Sequence, residues 1–171
     1  MQNFKSLYLE LSAKLSEIDA IEWIDIWNNQ VYDLEQEHPF PAPAVFLAFR
    51  SNNMTDTGTK VQKVSLQVDV FLFYETFADT YDGAYNQGDA LRFIDIIDEI
   101  NKLLHGSEGQ EYSSMRRTSF SPLDGGGAGN LFNITYNCEL MDYSANIEHE
   151  TDSYEDINLQ PKTDNKFVIR G

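Results

Sequence analysis

The sequence predicts an α+β fold: a mostly antiparallel sheet of about four to five strands, two helices packed on one of its faces, and a C-terminal extension. Three observations predict it. Apolar residues recur at helical spacing in two segments, 4–18 and 91–104. Strict alternation marks strands at 63–72 and 131–140, and more briefly at 21–27. The order along the chain is helix, strand, hairpin, helix, hairpin, tail.

The first helix rests on Phe4, Leu7, Tyr8, Leu11, Leu15 and Ile18, spaced by three and four residues, with Lys5, Glu10, Lys14 and Glu17 on the other side. "AIEWIDIWNN" then switches to period two and reads as a short strand with two partly apolar faces. "HPFPAPAVFLAFR" follows, with three of the five prolines of the chain in five positions. Proline has no amide donor and pushes the preceding residue toward extended geometry. The stretch therefore predicts a stiff lead-in to a strand at 44–50, which either holds the strand entrance away from a neighbour's edge or only positions the chain. "SNNMTDTGT" predicts a turn, since Asn, Asp and Gly cluster there. In the long strand after it, Val64, Leu66, Val68, Val70 and Leu72 point one way. Lys63, Ser65, Gln67, Asp69 and Phe71 point the other.

"ETFADTYDGAYNQG" reads as a polar loop, and Asp89 as the cap of a second helix. Leu91, Ile94, Ile97, Ile100 and Leu104 form its expected stripe, and Gly106 its stop. Two further strands, roughly 112–121 and 130–143, are joined by "PLDGGGAG". The domain is thus assigned to 1–143, with 144–171 an acidic linker and C-terminal arm.

Length and composition fit one domain. The chain has 171 residues, 42% hydrophobic and 13% aromatic, enough for a core despite a net charge of −16. A single cysteine, Cys138, excludes an internal disulfide framework and thiolate zinc sites, and suits a reducing compartment. The first twenty residues hold no long uncharged apolar stretch, which argues against a signal peptide or a membrane span and for a cytosolic protein at synthesis. The carboxylate surplus disfavours binding the outside of nucleic acid or an anionic membrane. The charge is uneven: residues 118–160 carry eight acids and no Lys or Arg, whereas 161–171 carry three bases and one acid.

Motifs for catalysis are scarce. His38, His105 and His149 sit in a proline lead-in, a helix end and an acidic tail, with no metal-pair spacing. Cys138 lies on the apolar side of a strand and reads as a buried thiol, not a nucleophile. "DGGGAGN" lacks the Lys and following Ser/Thr of a phosphate loop and reads as a hairpin tip. "DTYDGAYNQGD" misses the calcium-loop pattern. Asp95, Asp98 and Glu99 read as the solvated face of the second helix. No catalytic residue, metal or cofactor is expected.

One resemblance carries further. The chain combines "FPAPAVFLAF", "VSLQVDVFLFYE", a helix ending "INKLLHG", and the hairpin "SSMRRTSFSPLD…LFNITYNCEL". Over roughly residues 3–143 this pattern resembles the tail terminator (tail completion) proteins of long-tailed bacteriophages and prophages. The resemblance implies a structural virion protein, not an enzyme. Its subunits would form a ring, six being the expected number, that ends the tail tube and joins it to the neck. Partners would be other copies, the tail tube protein and a head–tail connector or stopper. Viral DNA would pass through the lumen without specific binding, and no membrane is involved. Such a protein works in the virion tail after assembly in the host cytoplasm. No site residue transfers from the family one by one. Arg116 and Arg117, the only adjacent bases, and Phe167, Val168 and Ile169 in the arm are the candidate partner-binding residues. Asp79, Asp82 and Asp124 are the candidate lumen-facing acids. The alternatives are another neck component or an intracellular peptide-binding module.

Overall fold

The computed structural model describes residues 4–32, 40–75, 80–125 and 129–145. Five strands form one sheet in the order β1-β2-β3-β5-β4. The strands are β1 (Trp23–Ile26), β2 (Ala44–Gly58), β3 (Val61–Tyr74), β4 (Arg116–Leu123) and β5 (Asn130–Asp142). Three pairings are antiparallel, and β1 runs parallel to the start of β2, so the sheet is mixed. Helices α1 (Phe4–Leu15) and α3 (Arg92–Leu104) cover one face, with a single turn, α2 (Gln87–Ala90), before α3. The α+β class read from the pattern is the observed one.

The main core is built as the periodicities require. Leu7, Leu11 and Leu15 of α1 and Ile96, Ile97, Ile100 and Leu104 of α3 bury against Val64, Leu66, Val68, Val70 and Leu72 of β3 and alternate residues of β5. The expected stripe of α3 needs correction, because Ile94 is exposed. Six helical residues turn a side chain by about 240°, so Ile94 and Ile100 cannot share a face, whereas Phe93, Ile96 and Ile97 can. Asp89 is not the cap. It lies within α2, and Leu91 occupies the cap position with no side-chain bond. Gly106, at φ 77°, ends the helix in the left-handed region that a C-terminal glycine adopts at low cost.

The hairpin of β2 and β3 is longer than the turn chemistry suggests. "SNNMTDTG" continues β2 to Gly58, and the turn is only Thr59 and Lys60. Register shifts between Ser51 and Asn53, and between Asp56 and Gly58, absorb the residues that resist regular pairing. The polar side chains bond within the ribbon: Asn53 Nδ2 donates to Thr55 Oγ1 at 3.2 Å and Gln62 Nε2 to Asp56 Oδ1 at 2.9 Å. β4 is shifted too, since 112–115 form a loop that buries Tyr112 and Met115.

The second face of the sheet is not simply solvated. At the end where β3 finishes, Phe46, Phe71, Phe73 and Leu131 form a second core with Val31, and Trp27, Phe40 and Ala42 pack on it. Trp27 stacks on Phe71 with ring centroids 4.2 Å apart, and Phe40 meets Phe46 and Phe73 edge-on. Phe71, read from the sequence as a member of a polar face, is an anchor of this core.

Candidate assembly surface

Of the two roles open to the prolines, the described residues, Pro41 and Pro43, favour positioning the chain; Pro39 lies outside the described residues. Glu22 N–H donates to Pro43 O at 2.9 Å, and β1 of the same chain fills the edge of β2 from Ala44 to Leu47. The start of β2 thus has strand neighbours on both sides within its own chain. Phe40 and Ala42 pack on the second core, so the stiff lead-in positions them there. Beyond Leu47 the outer side of β2 has no partner strand among the described residues.

The two edges of the sheet carry different apolar side chains. On the β1 side, Trp23, Ile26 and Tyr32 are 41–51% exposed. On the β4 side, Phe120 and Leu123 are 47% and 38% exposed, and every residue of β4 is exposed. Phe120 stacks on Phe132, which holds its ring in place at the rim. Sequence reading missed both groups, because an exposed apolar residue in a strand, or in the short 3-10 turn of Tyr32, has the same pattern as a buried one.

Arg116 and Arg117 begin β4 opposite Asn137 and Tyr136, so they face opposite sides of the sheet. Both are exposed. Arg117 N–H donates to His105 Nδ1 at 3.0 Å, tying β4 to the end of α3. Burial pushes the Tyr136 hydroxyl above its usual range, and the Arg117 charge opposes that shift. Asp82 sits in an exposed turn after β3, and Asp124 is exposed at the start of the β4–β5 connection. Both segments leave the sheet at the end where Tyr74 pairs with Asn130. The acids chosen from two separate loops therefore share one end of the subunit. Asp79, Phe167, Val168 and Ile169 lie outside the described residues.

Asp69 has a role that the alternation hid. Grouped by alternation with Lys63, Ser65 and Gln67, it is 3% exposed. Its carboxylate accepts from Thr135 Oγ1 at 2.8 Å, Gln67 Nε2 at 2.9 and 3.1 Å, and Asn133 Nδ2 at 3.4 Å. A charge taken out of water needs such donors. Glu10 and Lys14, read as the wet side of α1, hold the loop before β4. Lys14 Nζ donates to Tyr112 Oη at 2.7 Å and to Glu108 O at 3.1 Å, and lies 4.7 Å from the centre of the Tyr112 ring. Glu10 accepts from the backbone N–H groups of Gln110 and Glu111. Cys138 is buried, and burial first, then the neighbouring Glu139 charge, pushes its thiol up to about 12. That is the opposite of what a nucleophile requires.

Among the described residues no three His, Cys, Asp or Glu side chains come together in a metal-holding group, and no helix is long and apolar enough to cross a membrane. His38 and His149 lie outside the described residues. Comparison with protein-family models finds no match, and comparison with curated proteins finds no relative.

Proposed function

We propose that this chain is a ring-forming structural subunit of a bacteriophage tail, of the tail-terminator kind, which ends the tail tube and joins it to the neck. The observation that carries the reading is that the two edges of one sheet are unlike and each carries exposed apolar side chains: Trp23, Ile26 and Tyr32 beside β1, Phe120 and Leu123 on β4. A surface that meets its own copy through a two-fold axis needs one self-complementary patch. Two different edges favour head-to-tail contacts, which close into a ring when the rotation fits. The sequence resemblance selects the tail terminator among ring-forming proteins. Asp82 and Asp124 at one end of the subunit suit a lumen wall that repels passing DNA.

The test is assembly. Purified chain, alone and with tail tube protein, is examined by light scattering and negative-stain imaging. The proposal expects closed rings with a central hole, at least in the presence of tube protein. Ile26→Asp or Phe120→Asp should abolish them while circular dichroism shows a folded subunit. A folded monomer in both settings overturns the reading in favour of a peptide-binding module.

A further inference from the structure

We infer that the basic end of the C-terminal arm, residues 165–171 (NKFVIRG), docks in an acidic cleft between the turn after α1 and helix α3. The cleft, about 400 Å³, opens where that turn, the start of β2 at Pro43, the end of β3 at Tyr74 and α3 meet. Asp19, Glu22, Asp95 and Glu99 line it, with Arg92 the one base among its lining residues. A second hollow of about 440 Å³ shares Asp19, Ala20 and Glu99 and is lined further by Glu17 and Ile18 after α1 and by Lys102 and Leu103 of α3. Together they make a groove in which carboxylates outnumber bases, its apolar part lying in the second hollow at Ile18 and Leu103.

These carboxylates have no ion-pair partner within the described structure. The ion pairs among described residues are Lys14 with Glu10 and Lys63 with Glu139, and neither touches the groove. Like charges gathered in one groove repel one another, and a cation brought among them is favoured.

The arm has that chemistry. Phe167, Val168 and Ile169 stand between Lys166 and Arg170, in the one stretch after Arg117 where bases outnumber acids. The apolar side chains suit the hollow at Ile18 and Leu103, and the flanking cations suit the carboxylates around it. The intervening 144–160 has no Lys or Arg and is acidic, so the body of the domain repels it and leaves the arm's end as the part with a reason to return. Reach is sufficient. β5 ends at Asp142, opposite Gln62, at the far end of the sheet from Tyr74. The strand between those two positions, at about 3.4 Å per residue, makes that distance roughly 40 Å. The twenty or so residues from 146 to 165 extend to roughly 70 Å at most. The cleft can therefore be that of the same copy or of an adjacent one.

The experiment uses the full chain and a zero-length carbodiimide coupling, which joins a lysine to a carboxylate only when the two touch. Peptide mapping is expected to find Lys166 joined to Asp19, Glu22, Asp95 or Glu99. The coupling should fall about tenfold in Glu22→Lys/Glu99→Lys and at high salt, where screening removes the attraction. Adding Lys166→Glu to the double variant should restore coupling in the reverse sense, between the carboxylate now at position 166 and the lysines introduced at positions 22 and 99. Mixing isotopically distinct chains tells whether the arm comes from the same copy, and either origin agrees with the proposal. Coupling of Lys166 to other carboxylates such as Asp56 or Glu139, or none above a scrambled-arm control, overturns it. Thermal unfolding of each variant verifies that the groove is intact.

Discussion

At the residue scale, three side chains decide how firmly the domain holds together. Asp69 accepts from Thr135, Gln67 and Asn133 in a nearly water-free site. Replacing it by Ala would leave three donors without an acceptor, and we expect a loss of about 2–3 kcal/mol in chemical denaturation. Asp69→Asn keeps shape and part of the bonding and should cost less. Lys14 joins α1 to the loop before β4 through Tyr112 and Glu108, so Lys14→Met should cost about 1–2 kcal/mol, with hydrogen exchange rising in 107–115. Cys138 sets a pH dependence. Its thiol is held up to about 12 in the folded chain against an ordinary value of 9.0. A raised pKa means that the folded state holds the proton more tightly. The associated stability is complete below pH 9 and is lost as pH rises toward 12. The expected slope is about 1.4 kcal/mol per pH unit at most for one proton. Cys138→Val should flatten the decline just above pH 9. An unchanged slope in that window would assign the decline to other groups.

At the scale of elements, the β2–β3 ribbon makes its own prediction. Lys60 holds a φ of 64° in a two-residue turn, a conformation costly for a side chain with a Cβ. Lys60→Gly should therefore raise stability by about 0.5–1 kcal/mol, whereas Lys60→Val should lower it, both measured by thermal unfolding. This ribbon also marks where sequence reading ran short. The helix face of α1 and the alternation of β3 and β5 were legible because one side of each is buried, which imposes a period. In 51–58 both sides of β2 are exposed, so no period exists and the turn-forming residues were all that remained to read. The stripe of α3 failed for a related reason. Leu91, Phe93, Ile94, Ile96, Ile97 and Ile100 crowd its first three turns, so several stripes can be drawn, and only the phase set by packing selects Ile96 and Ile97. The second core was hidden because Phe71 and Phe73 lie in a strand that is buried on one face along its length and on both faces only at its end. Of the candidate site, the opposite facing of adjacent Arg116 and Arg117 on β4 follows from alternation alone. The edge patches depend on which strands end the sheet, and strand order is not written in any one strand.

At the scale of the whole molecule, a subunit with two unlike exposed edges, an uncovered distal β2 edge and polar acidic loops gathered at one end is suited to a closed ring around a passage. Each copy carries a net charge of −16, which a ring multiplies around its lumen. If the Asp82 and Asp124 end faces the lumen, Asp82→Lys/Asp124→Lys should leave folding intact but slow DNA ejection from assembled particles, more so at low salt. Unchanged ejection at low salt, in particles that contain the variant, would move those loops away from the DNA path. The ring itself is the central claim, and the mass of the particle formed with tail tube protein tests it most directly. The account predicts a closed ring of several copies, six being the expected number, that is lost in Phe120→Asp. A particle with the mass of one folded chain, with and without tube protein, would contradict it.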